Sequence, residues 1–148
     1  QPSFKDVLYN IVVECEIKNL LNREFNTLSG GEKRRVHFAR TLIQLYSYPK
    51  EEDNKYILLD EPTANLDLLH EISLIKILSK MSCKGFAVVL VMHDLNLAYN
   101  FADKVLLINQ GKRKYYGTPD DVFKDEYLSN VYNMPIIVDR ENKRINYY

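Results

Sequence analysis

The sequence predicts an α/β fold, a mainly parallel sheet flanked by helices with a hairpin at its C-terminal edge, on three observations. Residues 56–59 and 87–92 are continuous apolar runs without polar alternation, the composition of strands covered on both faces of a parallel sheet. Between them, residues 68–81 place Ile72, Leu74, Ile75, Ile77 and Leu78 at spacings that suit a crossover helix. Farther on, residues 105–108 and 113–116 flank Asn109-Gln110-Gly111-Lys112, a turn that makes them an antiparallel hairpin.

The remaining elements follow in chain order. Val7, Leu8, Ile11, Val12 and Cys15, then Leu20 and Leu21, recur at helical spacing and predict an amphipathic helix and a short second one ending near Asn22. A polar loop over 23–27 comes next. From Gly31 to about Tyr46, Val36, Phe38, Ala39, Leu42, Ile43 and Tyr46 lie mostly on one helical face, with Arg34, Arg35 and Arg40 on much of the rest. Residues 48–54 form a charged insertion expected to be a solvated loop. Thr118-Pro119-Asp120-Asp121 is a helix start, with Thr as N-cap, Pro in the first turn and two carboxylates favoured by the helix dipole. Two short helices are expected to about Tyr132, and residues 136–138 with 144–147 as a terminal hairpin.

At 148 residues, 46% of them hydrophobic, the chain suits one core and is read as one domain or part of one. Lys plus Arg and Asp plus Glu both total 20, so no net field recruits nucleic acid or anionic lipid. Cys15 and Cys83 lack metal or redox spacing and are expected to be reduced, buried thiols in a cytosolic setting. The longest apolar run, 86–92, is too short to cross about 30 Å of hydrocarbon, and a soluble chain is expected. Its start at Gln1, without Met or a signal pattern, is read as that of a processed chain or a piece of a longer one.

Three constellations carry chemistry. Leu28-Ser29-Gly30-Gly31-Glu32 precedes a helix; its glycines let an anion approach the backbone, and a helix N-terminus favours phosphate oxygens. Ser29 and Glu32 equally have the spacing of a plain capping box. The run 56–59 ends in Asp60 and Glu61, at the carboxyl end of a parallel strand, where α/β folds open their ligand crevice. One acid can hold magnesium through its water shell while the other orients or deprotonates an attacking water; an acidic turn at Pro62 is the plainer reading. Val91-Met92 delivers His93 at a second strand end, where imidazole could reach a terminal phosphate or serve as a structural hydrogen-bonding group. Asp94 and Asp67 suit the caps of the helices that follow them. Separately each is ambiguous; their order along the chain is what points to nucleotide chemistry.

In that order, residues 28–32, Leu58-Leu59-Asp60-Glu61-Pro62-Thr63, Asn65-Leu66-Asp67 and Val91-Met92-His93-Asp94 resemble the signature, Walker B, D-loop and switch-histidine motifs of ATP-binding-cassette ATPases of the P-loop NTPase fold. The resemblance implies that Ser29, Gly30, Gly31 and Glu32 form the turn facing the γ-phosphate of ATP held by a second, identical subunit. It implies that Asp60 binds Mg2+ and the nucleotide, Glu61 acts on water, His93 senses the γ-phosphate and Asp67 signals across the dimer interface. Residues 3–47 would be the end of the helical subdomain with the signature helix, and 55–148 the core and tail, of a single C-terminal portion of such a domain.

His93-Asp94-Leu95-Asn96-Leu97-Ala98, Phe101-Ala102-Asp103, Gly117-Thr118-Pro119 and Val131-Tyr132 resemble the ATPases of importers for haem, ferric siderophores and vitamin B12. The Ala-Arg-x-Leu-x-Gln-Leu run from Ala39 to Leu45 fits the hemin branch best. What this implies is an ATP-hydrolysing subunit peripheral to the cytoplasmic face of the inner membrane. Its partners would be a twin ATPase subunit, a transmembrane permease and, indirectly, a substrate-binding protein, with no nucleic acid. Two alternatives stay open: a ribosome- or DNA-associated member of the same superfamily, suggested by Lys33 after Glu32, and a non-catalytic fragment.

The pattern departs from the importer ATPases at Lys33, where a Gln often follows the signature Glu, and in the phosphate-binding loop: no G-x-x-x-x-G-K-[ST] occurs, and the 5 glycines stand at 30, 31, 85, 111 and 117. Self-association through unpaired strand edges is expected. The isolated chain should bind ATP weakly and hydrolyse it negligibly; nanomolar-to-micromolar affinity by calorimetry would contradict this.

Overall fold

Each capping and turn signal has a counterpart in the computed structural model, which describes residues 3–47, 55–64 and 66–147. The expected loop at 48–54 and Asn65 of the D-loop pattern lie outside the described residues. The chain divides into two compact units, Gln1–Val91 and Met92–Tyr148.

In the first unit, α1 (Phe4–Glu14) starts at a capping box, in which Asp6 N–H donates to Ser3 Oγ and Ser3 N–H to the Asp6 carboxylate. It ends in a left-handed turn: Glu16 has φ 52°, Glu16 N–H donates to Val13 O and Ile17 N–H to Val12 O, the bonding of a Schellman motif. Short 3-10 turns at Lys18–Leu20 and Phe25–Thr27 lead to α2 (Gly30–Ser47). Phe38, Ala39 and Leu42 of α2 are buried, as are Ile11 and Val12 of α1, against which it packs. Of the α2 face read from the sequence, Val36 and Ile43 are half-buried.

Strands β1 (Lys55–Asp60) and β2 (Phe86–Val91) pair in parallel, from Lys55 opposite Phe86 to Asp60 opposite Val91. They are joined by α3 (Leu68–Cys83), which buries Leu74, Ile75, Ile77, Leu78 and Met81 and packs on β2. Gly85, at φ +87°, turns the chain from α3 into β2, a conformation that suits glycine because it has no Cβ. The expectation that both strands are covered on two faces is corrected. Ile57 and Phe86 are buried, but Tyr56, Leu58 and Val89 are 67%, 73% and 56% exposed. Register explains the pattern. Tyr56 pairs with Ala87, Leu58 with Val89 and Asp60 with Val91, so the exposed residues share one face, while α3 packs on β2 as its cover within this unit.

The second unit contains α4 (Leu95–Phe101), β3 (Val105–Asn109), β4 (Lys112–Gly117), α5 (Pro119–Val122), α6 (Asp125–Tyr132), β5 (Ile136–Asp139) and β6 (Arg144–Tyr147). The hairpin of β3 and β4 turns at Gln110 and Gly111, both at positive φ, as a two-residue primed turn requires. It forms a sheet of its own, as do β5 and β6, so among the described residues parallel pairing is confined to β1 and β2. Thr118 and Asp121 cap α5 reciprocally. A Cβ on Gly117 would lie 2.8 Å from Asp121 Cβ, so this turn needs glycine. Tyr99, Leu107, Val122, Phe123, Leu128, Ile136 and Ile145 make the core. The Asn96 side chain extends β6 like a further strand residue, accepting from Ile145 N–H at 2.7 Å and donating to Ile145 O at 3.2 Å.

Of the two thiols, Cys15 is buried, and loss of solvation pushes it up to about 12. Cys83 is exposed at the end of α3, against the expectation of burial, because it follows Met81, the last buried residue of that helix.

Leu128 is 0% exposed at the centre of the second unit's core. Leu128→Ala should therefore destabilise that unit by about 2–5 kcal/mol through lost transfer energy and the cavity left behind. Urea unfolding followed by tyrosine fluorescence measures it, and an unchanged midpoint would contradict the packing described.

Candidate functional site

Buried Leu28 anchors the turn that opens α2, while Ser29 and Gly30 are exposed. A Cβ built on Gly30 would meet nothing within 4 Å, so the start of this 18-residue helix is open to an approaching group. The capping box read from the sequence is present: Ser29 N–H donates to Glu32 Oε2 at 2.7 Å and Glu32 N–H to Ser29 Oγ at 3.3 Å. Arg23 holds the other Glu32 oxygen at 3.0 Å. The bond from the Ser29 backbone, with help from the Ser29 hydroxyl and Arg23, holds the Glu32 carboxyl below its usual range. Capping occupies the backbone and hydroxyl of Ser29 and leaves Gly30 open, so the capping box is compatible with an anion at this turn.

At the end of β1, Asp60 is exposed and Glu61 half-buried. Glu61 has φ 43°, a left-handed conformation that costs a residue with a Cβ roughly 1–2 kcal/mol. Its backbone is bonded at both ends. Its N–H donates to Val91 O at 2.9 Å, extending the parallel ladder past Asp60, and its carbonyl accepts from Ala64 N–H at 3.2 Å and from the Arg34 guanidinium of α2. An exposed carboxylate at a strand end matches how magnesium is commonly held, through one carboxylate, waters and substrate phosphates. Among the described residues, no three His, Cys, Asp or Glu side chains form a closed metal group.

Asp67 caps α3, accepting at Oδ1 from His70 N–H at 3.0 Å and lying 2.6 Å from His70 Nδ1. The backbone bond from His70, then the ring bond, hold the Asp67 carboxyl below its usual range. His70 Nε2 contacts Arg35 of α2 and lies 3.4 Å from Glu16 Oε2. An open pocket of about 300 Å³ is lined by Ser29, Gly31, Glu32, Arg35, Leu66, Asp67 and His70. The fold thus brings Ser29, Gly31, Glu32 and Asp67 to one place, with Gly30 at the exposed head of the same helix.

His93 is exposed in the bend between β2 and α4 and belongs to the second unit. Asp94 caps α4 through Leu97 N–H at 2.9 Å, as its position in the sequence suggested. Arg34, Arg35 and His70 were not singled out by sequence reasoning. The two arginines fell on the polar part of the α2 face, and a lone histidine in a helix's first turn has no motif of its own.

No protein-family model matches the chain. It is 45% identical over 127 residues, 86% of its length, to the hemin import ATP-binding protein of Photobacterium damselae subsp. damselae, of which it covers 47%. Against the protein of that name from Pseudomonas aeruginosa, identity is 35% over 138 residues, 93% of this chain and 53% of the relative. The chain therefore spans about half the length of the curated relatives it matches. Among solved structures, an inward-facing metal-chelate type ABC transporter matches all of this chain and 60% of its own, with a TM-score of 0.74 and 25% identity. Part of the ABC transporter complex cbiONQ of Clostridium perfringens matches 87% of this chain and 49% of its own, with a TM-score of 0.62 and 27% identity.

Glu32 and Asp67 support α2 and α3 as carboxylates, and both are more acidic folded than unfolded. Their stabilisation is complete above the ordinary carboxylate range and is lost as pH falls through the depressed folded values. Side-chain carboxyl NMR should show both titrating below the usual range while the amides at the starts of α2 and α3 lose exchange protection in parallel. Protection that ignores the titration would contradict it.

Proposed function

Because this chain belongs to the ATP-binding-cassette ATPase family, we propose that it supplies the signature turn, acidic strand end, D-loop and switch histidine of a transporter ATPase that drives import of hemin or a related iron or cobalamin compound. One observation carries most weight. The exposed, glycine-led start of α2 and Asp67 line one open pocket, in the unit whose parallel strand ends in Asp60 and Glu61.

In this reading Gly30 and Gly31 offer their N–H groups and the partial positive charge of α2, and Ser29 its hydroxyl, to the γ-phosphate of ATP held by a twin subunit. Glu32 keeps the turn in shape through its two bonds to Ser29. Asp60 would hold magnesium, which when bound neutralises charge on the phosphate oxygens. Glu61, displaced from the strand line by its left-handed backbone, orients the attacking water and accepts its proton. His93 hydrogen-bonds the γ-phosphate, and Asp67 faces the twin subunit. Among the described residues no helix is long and apolar enough to cross a membrane. Attachment to the inner membrane's cytoplasmic face would therefore run through a permease, with a substrate-binding protein acting at one remove.

The test is ATP-dependent hemin uptake into vesicles carrying the cognate permease and the protein with its upstream coding sequence. Glu61→Gln should slow hydrolysis by about 10²-fold or more while nucleotide binding persists, since the carboxamide cannot take the proton. Wild-type hydrolysis by the variant, or uptake indifferent to ATP, would overturn the reading. Parallel assays with ferric siderophores decide the cargo.

A further inference from the structure

Two adjacent side chains of α2 reach the two ends of the segment that leaves β1 and starts α3. Arg34 donates to the carbonyl of Glu61, and Arg35 contacts Nε2 of His70. The chemistry of the partners assigns the ring's hydrogen. Arginine only donates, so Nε2 accepts; the Asp67 carboxylate accepts, so Nδ1 carries the N–H that it receives at 2.6 Å. The result is a continuous row, Arg35 to His70 to Asp67, in which every polar group has a complementary partner. Glu16 Oε2, 3.4 Å from the same Nε2, comes from the left-handed turn that ends α1 and sets a carboxylate near the Arg35 charge. His70 and Arg35 are both partly buried, where charge-assisted bonds are stronger than in open water.

We propose that Arg34, Arg35 and His70 are positioning residues that make α2 a rigid link, so that a displacement of the turn at 29–32 is passed to Glu61 through Arg34 and to Asp67 through Arg35 and His70. This rests on the reading of that turn as the nucleotide-facing element. The arginines stand only two or three residues beyond Glu32, within one turn of the capped helix start, so little flexible chain intervenes. At the receiving end, Glu61 is held in a costly backbone conformation that the Arg34 bond helps maintain, and Asp67 is the cap on which α3 begins. Each is therefore sensitive to a small change in its partner.

The link is tested on the 148-residue chain by NMR without nucleotide, so a failure of ATP binding leaves it standing and its own failure leaves the transporter reading standing. Ser29→Ala, which removes the cap at the turn, should shift the amides of Glu61 and of residues 66–70. Those distant shifts should be lost when Ser29→Ala is combined with Arg34→Gln and Arg35→Gln. His70→Gln, which keeps an acceptor for Arg35 but removes the ring donor to Asp67, should abolish the response at 66–70 and spare that at Glu61. Imidazole nitrogen spectra should show the Nδ1–H form, and Arg35→Lys serves if the glutamine variants fail to fold. Distant shifts that survive without the arginines, or a ring protonated at Nε2 alone, would overturn the proposal.

Discussion

The parallel ladder between β1 and β2 is the constraint on which the first unit depends. Its register places Asp60 opposite Val91, and the further bond from Glu61 N–H to Val91 O carries the pairing one residue past the strand. A parallel pair requires a crossover, and α3 supplies it with a buried face of Leu74, Ile75, Leu78 and Met81. Because α3 must begin shortly after β1 ends, Asp67 has to be both the end of the connecting turn and the helix cap. The acids and the cap are consequently held by the same short stretch of backbone.

That stretch is anchored from α2 and not from the strands alone. Arg34 bonds the Glu61 carbonyl, and Arg35 meets His70, whose ring and backbone N–H both engage Asp67. The helix that starts at exposed Gly30 therefore also touches the groups expected to act on water and to face a twin subunit. The turn is thus open at its head and tied at its base. The same Ser29–Glu32 bonds that shape the turn leave Gly30 uncovered.

The second unit shows how much local chemistry can be read in advance. Thr118 is the expected N-cap, Gln110 and Gly111 make the expected turn, and both short hairpins pair where the sequence placed them. These features depend on residues no farther apart than Val105 and Gly117, so little competes with them. Exposure of β1 and β2 was misjudged for the converse reason. An apolar run shows that burial is favoured, but the cover must come from elsewhere, and Tyr56, Leu58 and Val89 remain open here. Cys83 was misplaced likewise, because a cysteine's burial depends on which face of α3 meets the sheet.

The sequence by itself determined the α/β class, the caps, the primed turn and the identity of the motif residues, since each is specified by short-range spacing or by residue type. Only the tertiary structure decided that Ser29, Gly31, Glu32 and Asp67 share one pocket, that Glu61 takes a left-handed backbone, and that Arg34, Arg35 and His70 join α2 to the acids. Those contacts link residues 27 and 35 positions apart. Their geometry is set by how a helix packs beside a strand end, and no periodicity along the chain encodes it.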